Sequence, residues 1–280
     1  MAPAHAPAET FFLPVQDGFR YCLFHAPAGP CREALVYLHP FAEEMNKSRR
    51  MAALQARALA ALGVGVLQID LHGSGDSSGE FGDARWEGWK RDVDAACAWL
   101  RERLGRAPGL WGLRLGALLA LDYAAKAEAT PPRLLLWQPV TNGTAFLNQF
   151  LRLRIAADLL QEGANNGGTK ALRASLAQGK PVEIAGYELA PALAAALEGI
   201  DASVLAPRGC RLDWFEVMPA AGRALPPAAN RVAATWKAQG IDLGVHLVQG
   251  EPFWTTPEIA ECPALLDATS ALLREPVHAV

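Results

Sequence analysis

The chain has 280 residues, of which 51% are hydrophobic and 20% charged, so it has the means to bury one sizeable core and is not a disordered polypeptide. A formal net charge of −3 excludes a polybasic nucleic-acid binder and gives no signal for an anionic membrane surface. No apolar run reaches the roughly 18 residues that would suggest a bilayer span.

The opening segment MAPAHAPAETFF lacks a basic start and an apolar run, so no secretory signal is expected there. Cys22, Cys31, Cys97, Cys210 and Cys262 are scattered and never in CxxC spacing. They are expected to be free thiols, which places the protein in a reducing, cytoplasmic setting.

Phe11 to Val15 and Phe19 to Phe24 flank Gln16-Asp17-Gly18, and the Asp-Gly pair predicts a tight hairpin. Ala34 to Leu38 is a continuous apolar run ending at His39-Pro40, as expected of a strand buried on both faces. A helix is predicted from about Ser48 to Leu62. A second buried strand, Val64 to Ile69, then ends at Asp70.

The glycine-rich segment Leu71 to Gly79 follows. Beyond it Trp86, Trp89, Val93, Ala96, Leu100 and Leu104 recur at spacings of three and four, predicting a helix over about 85–104 stopped by Gly105. Gly109 to Leu113 leads through a sharp turn into a helix over 115–127, and Arg133 to Trp137 is another buried strand. Later, 210–218 and 244–248 are predicted strands with a helix over about 228–239 between them.

Strands alternating with helices at this spacing predict right-handed crossovers and a mostly parallel sheet covered on both faces. Residues 141–207 break the rhythm. They contain two or three helical patterns and the loop Asn165 to Gly168, and are expected to be a lid inserted over the strand ends within a single domain spanning 1–280.

In an open parallel sheet, ligands bind at the carboxyl ends of the strands. Four such ends stand out: His39-Pro40-Phe41, Asp70 to Gly75, Gly112-Leu113-Arg114-Leu115-Gly116, and Gln138-Pro139. In this order, with Asp70 to Ser77 as the second, they resemble the α/β-hydrolase superfamily. A more specific resemblance lies in Leu110 to Leu119, Trp137 to Gly143 and Phe146 to Arg154. These runs are similar to the second hydrolase associated with the exosortase A system. That resemblance implies a bacterial protein linked to exopolysaccharide production and PEP-CTERM protein sorting. It also implies a nucleophile elbow of form G-x-S-x-G at 112–116 and an oxyanion donor near His39 to Phe41.

Here the elbow carries Arg114 where the resemblance implies serine. Arginine holds its proton at physiological pH and presents only donors, so it is no nucleophile. The loop after the last predicted strand, Gly250 to Trp254, has no histidine. Neither Pro219 to Leu225 nor Gln138 to Asn142 contains a carboxylate. All three triad stations are therefore expected to be empty, which makes the chain a degenerate, pseudoenzyme-like member of its class.

Arg114 has two readings. Beside the N-terminus of the helix starting at Leu115, and with Phe41 and His39 nearby, it forms a receptor for carboxylate or phosphate. Alternatively it is a plug, paired with Glu43, Glu44 or Glu251, because an unpaired buried charge costs several kcal/mol.

Ser74, Ser77 and Ser78 are expected to bond within their own turn. His39, the best-placed imidazole, is expected to be held by backbone. Asp70, His72 and Asp76 do not make a convincing metal site, and no P-loop lysine follows the glycines, so no metal or cofactor is expected. Two functions remain. One is a non-catalytic pocket for a small anionic ligand or a partner. The other is a genuine ester or thioester hydrolase acting on an acyl substrate through other residues, His39 with a water among them.

Overall fold

The computed structural model describes residues 7–160 and 168–274. Most of the predicted loop Asn165 to Gly168 lies outside these residues.

The N-terminal hairpin forms as predicted, with β1 (Glu9–Val15) antiparallel to β2 (Gly18–His25) across the Asp17-Gly18 turn. Gly18 has φ +119°, a conformation open to glycine and strained for other residues. The strands β3 (Glu33–Leu38), β4 (Val64–Ile69), β5 (Gly109–Leu113) and β6 (Arg133–Trp137) match the continuous apolar runs. They are almost wholly buried, because helices cover them from both sides.

Helix α1 (Glu43–Ala61) begins five residues before the expected Ser48. Its N-cap is Ala42 in a strained conformation (φ 51°, ψ −128°), and its first turn carries Glu43 and Glu44, whose negative charge suits the positive helix end. Helices α2 (Trp86–Leu104) and α3 (Leu115–Lys126) follow the predicted spans. Gly105 ends α2 in the left-handed conformation.

Residues between β6 and the next long strand form α4 (Gly143–Leu160), α5 (Gly168–Ala177), a hairpin of β7 (Val182–Ile184) with β8 (Tyr187–Leu189), and α6 (Pro191–Glu198). The hairpin is too short to give a sequence signal. The chain then returns through β9 (Arg211–Met218), α7 (Pro227–Ala238), β10 (Leu243–Gln249) and α8 (Pro263–Arg274).

One eight-stranded sheet has the order β1-β2-β4-β3-β5-β6-β9-β10, antiparallel at β1-β2 and β2-β4 and parallel from β4 to β10. Its two faces carry separate apolar clusters. Met51, Leu59, Leu265 and Leu273 of α1 and α8 pack on one face. Trp89, Leu118 and Trp236 of α2, α3 and α7 pack on the other, together with Leu147, Leu151 and Leu193 of the segment between β6 and β9. Stacking helices on both faces leaves the carboxyl ends of β3, β5, β6 and β9 side by side.

Candidate functional site

The turn from β5 to α3 has the geometry of a nucleophile elbow. Arg114 sits at φ 55°, ψ −115°, outside the regions ordinary residues favour. The two flanking glycines permit this. A side chain at Gly112 would strike the Ala117 backbone, and one at Gly116 would strike the carbonyls of Leu38 and His39. The backbone is fixed by neighbouring strand ends: Arg114 N–H donates to the Trp137 carbonyl (2.9 Å), and the Arg114 carbonyl accepts from Val140 (3.2 Å).

Ala42, capping α1, adopts nearly the same strained pair of angles as Arg114. Both helices present their positive ends to this region, and each leaves first-turn amides without intrahelical acceptors.

Arg114 is largely buried. Its Nε donates to Glu44 Oε1 at 3.3 Å, and its guanidinium carbon lies 5.6 Å from the centre of the Trp254 ring. Among the described residues, neither Nη1 nor Nη2 has a hydrogen-bond partner. Glu44 Oε2 is buried and also without a partner. Burial pushes the Glu44 carboxyl above its ordinary range, and the charge of Arg114 and its hydrogen bond only partly oppose that.

A second carboxylate belongs to the same field. Glu216, buried in β9, accepts from Gln138 Nε2 (2.9 Å) and Trp214 Nε1 (2.8 Å). Burial raises its carboxyl, against those two hydrogen bonds and the charge of Arg114. Gln138 is itself at φ 43° and accepts from the Val217 amide at 2.7 Å, locking the ends of β6 and β9 together. Pro219 to Leu225 and Gln138 to Asn142 contain no carboxylate, and Glu216, inside β9, is bonded to Gln138 and Trp214 and to no histidine. Glu216 shares β9 with Arg211 and Asp213, so a charged residue in this strand is no signal by itself.

His39 is buried with both ring nitrogens engaged. The Leu71 amide donates to Nε2 (3.1 Å), so Nδ1 carries the proton and donates to the Pro40 carbonyl (2.7 Å). Burial keeps the ring neutral by lowering its pKa. With Pro40, Phe41, Leu115 and Gly116 it lines a cavity of about 10 Å³, room for no more than one water. Leu115, Phe41 and His39 are thus brought together, whereas Arg114 is not part of this lining and its side chain meets Glu44 and Trp254.

Glu251 is not brought into the site. It is exposed, and the carboxylate on Arg114 is that of Glu44, because the chain after β10 turns inward only at the buried Phe253 and Trp254. Glu43 instead accepts from Asn46 (3.0 Å) and Tyr187 (3.2 Å).

The loop after β4 is bonded partly within itself and partly to β2 and α1. Contrary to expectation, Ser77 and Ser78 do not bond only within their own turn: Ser77 Oγ also accepts from the Tyr21 amide. Arg49 grips Asp70 (2.9 Å), Ser77 Oγ donates to the Asp70 carbonyl, and Ser78 Oγ accepts from the Phe19 amide. Among the described residues, no group of three or more His, Cys, Asp or Glu side chains could hold a metal ion. No described helix is long and apolar enough to cross a membrane.

Above the elbow, the Phe41 ring meets Phe146 and Phe150 of α4 edge-on, with centroids 5.5 and 4.9 Å away. The segment between β6 and β9 therefore packs directly on the β3–α1 turn.

The architecture agrees with known structures. Est1E from Butyrivibrio proteoclasticus, solved with ferulic acid bound, superposes with a TM-score of 0.71 at 14% identity, covering 96% of this chain and 100% of that one. A thermostable carboxyl esterase from Bacillus coagulans gives 0.65 at 14% identity, with coverage of 96% and 97%. A soluble variant of monoglyceride lipase from Saccharomyces cerevisiae gives 0.64 at 13% identity, with coverage of 98% and 97%. At these identities the likeness establishes the α/β-hydrolase fold. No curated protein matches the sequence. The family model described as serine aminopeptidase, S33 (Hydrolase_4) matches residues 29–196, more than half of the chain, and the protein belongs to that family of α/β hydrolases.

Proposed function

We propose that this family member is non-catalytic and binds a small carboxylate-bearing ligand through Arg114. The observation that carries the reading is the guanidinium at the elbow, committed through Nε alone. Its Nη donors and the first amides of α3 are left to receive an anion. Serine chemistry lacks its parts: residue 114 offers no nucleophile, the inward rings after β10 are Phe253 and Trp254, and His39 has no free nitrogen to activate a water.

The segment 141–207 acts in this reading as a lid within a single domain, and Phe146 and Phe150, packed on Phe41, part to admit the body of the ligand. Est1E was seen with ferulic acid, itself a free carboxylic acid, which agrees with the ligand class. The runs at 110–119, 137–143 and 146–154 carry the further proposal of a cytoplasmic role beside the exosortase A system.

A thermal-shift series over short carboxylates and inorganic phosphate, on the wild type and Arg114→Met, tests the binding claim. Stabilisation of the wild type alone is expected. Ester turnover by the wild type, or labelling by a fluorophosphonate probe, would refute the non-catalytic reading.

A further inference from the structure

The Arg114 site already holds a carboxylate, and how it is held bears on what displaces it. Glu44 reaches Arg114 through one oxygen and one contact at 3.3 Å, long for a charge-assisted pair, while its second oxygen is buried with no partner. A carboxylate built for structure is normally bonded at both oxygens, since a buried unpaired acceptor costs the desolvation of that atom. Half-satisfied, Glu44 resembles an occupant more than an anchor.

Resting on the function proposed above, we infer that Glu44 is a resident competitor, and that a monocarboxylic ligand takes its place on Arg114 while Glu44 accepts one proton from solvent. The balance is simple. The ligand carboxylate brings one negative charge, the proton removes the charge of Glu44, and Arg114 keeps a single counter-ion. No covalent bond changes except the new O–H on Glu44. The released carboxyl also gains a donor.

The surrounding charges favour a monoanion. Arg114 at the start of α3 is the cation facing Glu44. On its own helix, Glu43 is tied to Asn46 and to Tyr187 of β8, and Arg49 is tied to Asp70. From β9, Glu216 adds a second acidic group within the field of Arg114, and from the loop after β10 comes only the uncharged Trp254. A phosphate dianion would leave one arginine facing two new charges beside an acidic neighbour. The Phe41, Phe146 and Phe150 rings are buried against one another, and a ligand tail that parts them must be apolar. The ligand class is therefore an apolar monocarboxylic acid, bound with its proton's worth of charge neutralised on Glu44.

Calorimetric titration of the full chain with hexanoate at pH 7.5, in two buffers of different ionisation enthalpy, reads the proton directly. About one proton taken up per ligand bound is expected for the wild type, with affinity falling about tenfold per pH unit as pH rises. Glu44→Gln should bind with no proton uptake, no such pH slope, and about tenfold or more tighter, because the competing state is gone. Inorganic phosphate should bind more weakly than hexanoate to both. Wild-type binding without proton uptake would overturn the role of Glu44 and leave the binding reading standing. Failure of both proteins to bind hexanoate would overturn both. The wild-type measurement decides the matter even if the variant folds poorly.

Discussion

The two ends of the central sheet treat buried charge in opposite ways. At the amino ends of β6, β9 and β10, Asp213 is fully buried and saturated. Arg133 Nη1 lies at 2.7 Å and Arg211 Nε at 3.2 Å on one oxygen, and His246 Nε2 at 3.1 Å on the other, while Arg133 also reaches Glu33. Burial opposes ionisation there. The hydrogen bonds from His246 and Arg211, with the charges of Arg133 and Arg211, nonetheless hold the Asp213 carboxyl below its ordinary range. At the carboxyl ends, Glu44 has one long contact and an orphaned oxygen, and its carboxyl is pushed up. Both clusters are acid–base pairs in sequence terms. Only the first is completed, and completion distinguishes a structural ion cluster from a site with capacity left over.

The largest effect should come from breaking the completed cluster. Asp213→Ala removes the buried acceptor shared by Arg133, Arg211 and His246, leaving Arg133 with Glu33 alone, and should lower stability by about 3 kcal/mol in urea unfolding. A loss below about 1 kcal/mol would mean that the cluster is less desolvated than its contacts imply.

Arg114→Met is the matching cut at the other end and should cost less, about 1–2 kcal/mol at pH 7, because Glu44 can neutralise itself by taking a proton. That cost should grow with pH, since an unpaired Glu44 resists ionisation more strongly. A loss equal to that of Asp213→Ala would make Arg114 a plug and erase the contrast.

Glu44→Gln sharpens the comparison further. A carboxyl raised in the folded state gives stability that is fully present below its ordinary value of 4.5 and lost as pH rises through the folded value. The wild type therefore loses this contribution as pH rises above 4.5 through the raised folded value, and the glutamine variant has none to lose. The melting temperature of Glu44→Gln relative to the wild type should rise by a few degrees as pH is raised from below 4.5. A relative fall would show that the pair with Arg114 outweighs burial.

Much of this arrangement was legible in the sequence. Continuous apolar runs marked β3 to β6, Asp17-Gly18 marked the hairpin, and Gly112 with Gly116 marked the strained turn, because each signal is local. What escaped was set by tertiary contact. The start of α1 depends on a strained Ala42 that no propensity favours, and the choice of Glu44 over Glu251 depends on Phe253 and Trp254 turning inward. The setting of Glu216 depends on Gln138, a residue 78 positions away in sequence.

The smallest expected effect is a null one at the elbow itself. Arg114→Ser restores the hydroxyl that the fold's elbow accommodates, on a backbone already at φ 55°. A serine hydroxyl attacks only when a neighbouring base removes its proton. His39 is spoken for at both nitrogens, Glu216 is held by Gln138 and Trp214, and the ring that faces residue 114 from the loop after β10 is Trp254. Glu44 is the remaining candidate, and a carboxyl bonded to nothing else would orient no histidine, because none is there. The single variant should therefore hydrolyse p-nitrophenyl acetate no faster than the wild type or buffer. Adding Trp254→His to it supplies an imidazole on the facing loop, and turnover confined to the double variant would show that a missing base was the deficit. Turnover by Arg114→Ser alone would reveal a base among these residues and collapse the distinction between the two ends of the sheet.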